Sequence, residues 1–163
     1  LKGARIALWG DSFAPANPED PFVDEVELHS SPQIQYQAEP MGAHLALLGA
    51  LYEPDVFAVA ARGGLASYLS VLESPFTYTP IDITVLGILQ VGDVADISET
   101  LAPRPQLLTA LVNGRNVALL QAALDEEFRT AKSTYQSGQS ADRLTLGAES
   151  ADTAAWLIER LHP

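Results

Sequence analysis

Short apolar runs alternate along this chain with longer segments in which apolar residues recur every three or four positions. The short runs are predicted to be strands, because turn residues such as Gly10-Asp11 and Asn113-Gly114 bound them. They lack a strict apolar–polar alternation, which is typical of strands buried on both faces of a parallel sheet. The predicted strands cover residues 5–9, 56–61, 106–112 and 143–146.

Helical spacing of apolar residues is found between these strands. The predicted helices cover residues 40–52, 93–101, 116–135 and 150–161. Asp93 and Asn116 are the residue types that cap helix N-termini, and both are predicted to do so here. Strand–helix alternation predicts an α/β fold with a mainly parallel sheet of at least four strands, joined by right-handed crossovers.

Residues 14–39 interrupt this alternation. They contain several prolines and a run of acidic residues, and no periodic pattern. The segment is predicted to be a long loop insertion within a single domain that covers residues 1–163. Loops of this length are commonly functional.

Composition and charge narrow the classes of partner. The 163 residues are 47% hydrophobic and 18% charged, which is typical of a globular chain. The 21 acidic and 9 basic residues give a net charge of −12, which repels phosphate backbones and anionic lipids. We therefore expect neither nucleic acid nor a membrane as a partner. The chain has no cysteine, which excludes disulfides and thiolate zinc sites, and no metal or cofactor is predicted.

The first predicted strand leads into Gly10-Asp11-Ser12-Phe13, and this turn carries the candidate chemistry. A buried strand that delivers a serine to a sharp turn is how several hydrolases present a nucleophile. Ser12 is the candidate nucleophile, and the backbone N–H of Phe13 would help to hold the oxyanion. Activation would need a histidine base. The alternative is a turn serine whose hydroxyl caps a backbone N–H.

Five segments carry a resemblance to a known family. They read IALWGDS (6–12), GAHLALL (42–48), EPDVFAVA (53–60), APRPQLL (102–108) and VNGRN (112–116). In this order they are similar to the nucleophile strand and elbow, the following helix, the next strand, a strand entry and an Asn-Gly turn of α/β-hydrolases. The likeness is to the C-terminal half of acetyl-xylan-esterase-like and dienelactone-hydrolase-like members. It implies a serine esterase that acts on small carboxylic esters or acylated carbohydrates.

The chain also departs from that pattern. Ala14 stands where the elbow has its second glycine, and Gly42 is the better match, so residues 14–41 correspond to an insertion inside the elbow. The position of the catalytic acid holds Asn116, and Glu149 lies where the histidine is expected. The resemblance therefore leaves two hypotheses, an esterase that uses Ser12 and a catalytically inactive structural or interaction module.

The resemblance further implies that strands of the sheet precede residue 1. A half-sheet exposes a strand edge and an apolar face. We therefore expect the domain to be incomplete at its N-terminus, and a further protein segment or a partner chain to complete the sheet.

A third interpretation uses the same serine. Gly10-Asp11-Ser12-Phe13 also resembles the first block of the GDSL/SGNH hydrolases, in which the catalytic Asp and His lie near the C-terminus. His162 would be the base there, with Glu159 in place of the aspartate. In the other interpretations His162 complements the dipole of the last helix.

The chain has two other histidines, His44 and His29. His44 lies in a predicted apolar helix, from which it could approach Ser12, although a packed or surface histidine is the commoner case. His29 follows Asp24, Glu25 and Glu27, a set of oxygen ligands suited to a hard cation, although a solvated acidic loop is the commoner form of such a cluster.

Overall fold

A computed structural model describes residues 5–12, 14–18, 37–75, 77–149 and 151–162. Its strands are β1 (Ile6–Gly10), β2 (Val56–Arg62), β3 (Gln106–Thr109) and β4 (Leu144–Gly147). They form one four-stranded sheet in the order β1-β2-β3-β4, and each neighbouring pair is parallel. The predicted α/β class with a parallel sheet is therefore confirmed.

The helices lie between and after the strands, as the periodicity predicts. They are α1 (Met41–Tyr52), α2 (Leu69–Leu72), α3 (Val94–Thr100), α4 (Gln121–Glu127), α5 (Arg129–Ser137) and α6 (Thr153–Leu161). Short 3-10 turns cover Ile81–Ile83, Ile88–Gln90 and Ala141–Arg143. In the part of the chain that is described, no helix has the length and apolarity needed to cross a membrane.

The sheet has helices on both faces. Leu8 of β1 points toward α1, where its side chain lies against Gly49. Val59, its partner on β2, belongs to the same main core. Ala58 and Ala60 alternate with Val59 and so point the other way, yet both are fully buried. Because α6 contacts β1 and β2, we assign α6 to that second face.

The main core joins the first face of the sheet to the helices that pack on it. Val59 and Leu108 of the central strands pack there with Leu47 of α1, with Leu124 in the middle of α4, and with Phe128 directly after α4. Both aromatic and aliphatic members are inaccessible to solvent, so each contributes about 1.5–3 kcal/mol by leaving water. This packing holds β2 and β3 at the centre of the sheet.

Asp93 connects the loop after β2 to α3, and the prediction that it caps this helix is confirmed. Its carboxylate accepts from the backbone N–H of Val94 at 2.7 Å and from Tyr68 N–H at 2.7 Å. It also accepts from the Ser67 hydroxyl at 2.7 Å and from Leu69 N–H at 3.2 Å. One carboxylate therefore fixes both the start of α3 and the turn that precedes α2.

Three predicted elements, including the last helix, which begins at Thr153 rather than at residue 150, differ from the structure by three or more residues at one end. The helix predicted at 116–135 is two helices, and it begins only at Gln121, because residue 116 has a left-handed backbone with φ of 58°. Asn116 is therefore not a helix cap. The strand predicted to reach residue 112 ends at Thr109, since Ala110 also has a positive φ, of 49°. The last helix is capped by Asp152.

Replacing Asp93 with alanine is expected to lower the free energy of unfolding by about 2–3 kcal/mol. The change removes a cap worth about 1 kcal/mol and leaves the donors of Ser67 and Tyr68 unpaired, at about 1–3 kcal/mol. Asp152→Ala is the matched control, because Asp152 caps α6 through Ala155 N–H without such additional partners among the described residues. Urea unfolding measures both. Equal losses for the two variants would contradict a role for Asp93 beyond capping.

Candidate functional site

Ser12 lies just beyond the carboxyl end of β1, in a tightly packed position. Its backbone N–H donates to the carbonyl oxygen of Arg62 at 3.1 Å, and the residue is only 6% exposed. Gly63 follows Arg62 with φ of 68°, and a Cβ there would lie 2.6 Å from the Cβ of Ser12. Position 63 therefore requires glycine, because its backbone is left-handed and because Ser12 leaves no space for a side chain.

The N-terminus of α1 lies against the same turn. A Cβ on Gly10 would overlap the carbonyl group of Gly42, and a Cβ on Gly42 would lie 2.5 Å from the carbonyl oxygen of Asp11. The two glycines therefore let the backbones of the turn and the helix touch. Gly42 is the residue that the resemblance to α/β-hydrolases aligns with the second glycine of an elbow.

An ion pair between Asp11 and Arg62 lies beside Ser12. Nη1 of Arg62 donates to both carboxylate oxygens of Asp11, at 3.0 and 3.1 Å. The Asp11 side chain is 18% exposed and that of Arg62 is 38% exposed, so the pair is partly shielded from water. The sequence did not predict this ion pair. Asp11 and Arg62 lie at the carboxyl ends of two strands, and they can be recognised as neighbours only when the strand order is known.

Asn116 lies near the turn, at the position where the resemblance expects the catalytic acid. Its side-chain amide donates to the carbonyl oxygen of Pro15 at 2.9 Å, and its backbone carbonyl oxygen accepts from the backbone N–H of Asn17 at 2.7 Å. Asn17 in turn donates through Nδ2 to the carbonyl oxygen of Arg115 at 3.0 Å. These bonds tie residues 14–18 to the loop after β3. They are a structural use of Asn116 that sequence analysis did not predict.

His44 is buried in α1, and its ring serves the helix rather than the serine. Nδ1 donates to the carbonyl oxygen of Pro40 at 3.2 Å, and the ring meets Tyr68 edge-on at 5.4 Å. Burial lowers its pKa below the ordinary value, although the bond to Pro40 and the charge of Asp93 act in the opposite sense. Among the described residues, no group bonds to Nε2 of His44 and no histidine bonds to the hydroxyl of Ser12.

His162 follows α6 and lies near the amino end of β1. The carbonyl oxygen of Arg160 accepts from Nη1 of Arg5 at 3.3 Å, and Arg5 directly precedes β1. Ser12 follows the same strand, whose five residues span roughly 17 Å. The geometry therefore places His162 and Ser12 at opposite ends of β1.

Several of the predicted site residues lie outside the described residues. These are Phe13 and the acidic cluster of Asp24, Glu25, Glu27 and His29, together with residues 19–36 of the predicted insertion. Within the described ranges, no group of three or more His, Asp or Glu side chains is placed to hold a metal ion. The site defined by geometry therefore consists of Ser12, its glycine contacts, the Asp11–Arg62 pair and Asn116.

Comparison of the chain with known protein families, curated proteins and solved structures finds no match in any of the three. The relation to α/β-hydrolases therefore remains a prediction carried by the five segments quoted above.

The lowered pKa of His44 predicts a pH-dependent loss of stability. The unfolded chain binds a proton near the ordinary pKa of 6.5, whereas the folded chain resists protonation until a lower pH. Stability is therefore fully present above that value and falls as the pH drops below it. We expect the stability advantage of the parent over His44→Asn to shrink between about pH 7.5 and about pH 5.5. Urea unfolding at both values measures it, and an advantage that is constant or grows on acidification would contradict the prediction.

Proposed function

We propose that this chain is a hydrolase-like domain without esterase activity, which acts as an interaction module. Its partner surface is the free edge of β1, defined by Ile6, Trp9 and the adjacent Leu45 of α1. The observation that carries the proposal is that β1 is the outermost strand of the described sheet and exposes these three residues by 46%, 52% and 61%. A further segment or a partner chain would add a strand there.

The edge of β1 lacks two of the features that proteins use to discourage pairing, a charged residue and a proline, and the register irregularity at Ile6 and Ala7 lies on the side paired with β2. The strand reads IALWG, with no charged residue and no proline. Natural edge strands commonly carry lysine, proline or a bulge on the free side, which prevents unwanted strand addition. An uncharged edge is suited to strand addition, in which main-chain hydrogen bonds supply affinity.

A groove beside the edge would receive side chains of the added strand. It has a volume of about 340 Å³ and lies between β1 and α1. Leu8, Trp9, Leu45 and Ala46 supply most of its apolar lining, and Asp11 lies at one end. Pockets for alternate side chains are what give strand addition its specificity, so this groove supports the choice of β1 as the partner surface.

The groups that an esterase would need around Ser12 are used in other contacts. The amide of Asn116 bonds to the backbone of Pro15, and Nδ1 of His44 bonds to Pro40. His162 lies at the far end of β1 from Ser12, which argues against the GDSL/SGNH interpretation. These positions support a domain in which the serine turn has become structural.

A serine ester hydrolase is the second candidate, and the glycine packing around Ser12 favours it. Gly10, Gly42 and Gly63 together allow the backbone to close around the serine, as a nucleophile elbow requires. In this candidate, Ser12 attacks the carbonyl carbon of a small carboxylic or carbohydrate ester. The N–H of Phe13 holds the oxyanion, and a histidine accepts the serine proton.

Self-association through the β1 edge provides the first test. We expect sedimentation velocity at moderate salt, which screens the net negative charge, to show association that increases with concentration. Trp9→Lys should abolish it, because a lysine on the edge opposes strand addition. Leu86→Lys is the matched control, since Leu86 is 94% exposed and lies outside the edge. Equal effects of both substitutions would contradict the proposed surface, whereas a parent that stays monomeric would exclude a second copy of this chain as the source of the added strand.

A fluorophosphonate probe distinguishes the two candidate functions. The proposal predicts that the folded parent is not labelled, because no activated serine is present. The second candidate predicts labelling that Ser12→Ala abolishes and that Ser98→Ala, a change of a buried serine in α3, preserves. Labelling of that pattern would overturn the assignment of an inactive domain, and mass spectrometry of the modified peptide would identify the serine.

A further inference from the structure

A second cleft lies at the amino ends of the strands, opposite to Ser12, and it is lined by arginines rather than by the apolar side chains of the β1 groove. It has a volume of about 330 Å³ and is lined by Arg5, Arg104 and Arg143, with Asp55 and Phe57 among the other residues. The three arginines come just before β1, β3 and β4. Because the amino ends of parallel strands meet at one edge, arginines that are distant in sequence converge there.

The charge of this cleft is opposite to that of the chain. The protein has 9 basic and 21 acidic residues, and three of the basic ones line this single cleft. Asp55 is its one acidic lining residue within the described chain. None of the three arginines forms an ion pair with a described carboxylate, whereas Arg62, Arg129 and Lys132 do. The cleft therefore carries three positive charges that are not paired with any carboxylate of the described residues.

Hydrogen bonds to backbone carbonyl oxygens hold the guanidinium groups of Arg104 and Arg143 in place. Nη1 of Arg104 donates to the carbonyl oxygens of Ala50 and Glu53, the latter at 3.2 Å. Nη1 of Arg143 donates to the carbonyl oxygen of Pro103 at 3.3 Å.

Arg5 is held in a different way. Its guanidinium lies 4.4 Å from the ring centre of Phe57, and its Nη1 donates to the carbonyl oxygen of Arg160. Within the described residues, the hydrogen bonds of all three arginines use only Nη1. Each guanidinium therefore keeps the donors on Nη2 and Nε for a ligand, and its orientation is already restricted.

Two of these arginines, Arg104 and Arg143, influence the pKa of Tyr135. Burial raises the pKa of its phenol, while a hydrogen bond from Gln106 and the positive charges of Arg104 and Arg143 act to lower it. Both guanidinium groups therefore lie close enough to influence the same buried hydroxyl, in agreement with their common place around the cleft.

We propose that the cleft formed by Arg5, Arg104 and Arg143 binds a small phosphorylated ligand. Planar guanidinium forks match the oxygen geometry of phosphate, and several converging forks favour a ligand with more than one negative charge. The volume admits a molecule larger than a single phosphate ion. The cleft is separated from Ser12 by the length of β2, whose seven residues span roughly 23 Å, so this site is distinct from the serine turn, and its assignment does not depend on the proposed function.

Calorimetric titration of the full chain with inorganic pyrophosphate, at constant ionic strength, tests the proposal. We expect one saturable site. Arg5→Gln and Arg143→Gln should each weaken binding about tenfold, because each removes a charge-assisted contact. Arg129→Gln is the matched control, since it removes the same charge from an exposed ion pair on α5 and should leave binding unchanged. Arg143→Lys keeps the charge but loses the fork, and it should also weaken binding.

Three results would overturn this assignment. The first is the lack of saturable binding of pyrophosphate by the parent. The second is an equal loss in Arg129→Gln, which would show a general effect of net charge. The third is tighter binding of citrate than of pyrophosphate, which would assign the cleft to polycarboxylates. Thermal unfolding without ligand verifies that each variant is folded, and a pyrophosphate-dependent rise in melting temperature that Arg143→Gln loses would support the site independently.

Discussion

The close approach of α1 to the end of β1 is the constraint on which the rest of the structure depends. Gly10 and Gly42 have no side chain, so the backbone of the helix rests directly on the turn that holds Ser12. This contact fixes the position of the start of α1 against the sheet. It also sets α1 across β1 and β2, where Leu8 and Leu47 join the main core. A side chain at either glycine would separate the two elements and open the core.

The parallel sheet gives its two ends different chemistry. The carboxyl ends bring together Ser12 and the Asp11–Arg62 pair, whereas the amino ends bring together arginines that lack carboxylate partners among the described residues. In a parallel sheet all strands enter at one edge and leave at the other, so residues with equivalent positions in different strand–helix units become neighbours. A serine turn and an anion-binding cleft can thus be properties of one small domain without sharing a residue.

The exposed β1 edge and the packed serine turn support the same functional proposal. Trp9 and Ile6 remain accessible at an uncharged edge, while Asn116 and His44 are held by backbone carbonyls. In an active esterase, the residues around the serine are arranged to accept and return a proton. Here the neighbouring polar groups stabilise loops and a helix terminus, which supports the proposal of a domain without esterase activity.

The sequence by itself determined the four strands, the helical segments that contain α1, α3, α4 with α5, and α6, the α/β class and the cap at Asp93, because apolar periodicity and capping are local properties. It did not predict the short helix α2 or the division between α4 and α5. The prediction that Asn116 caps a helix was wrong, because its backbone is left-handed. Hydrogen bonds join Asn116 to Pro15 and Asn17, about a hundred residues away along the chain, and local sequence patterns do not contain such contacts. Only the tertiary structure revealed the Asp11–Arg62 pair and the convergence of the arginines. The physical reason is that strand order decides which strand ends are neighbours, and the packing that sets this order acts between segments distant in sequence.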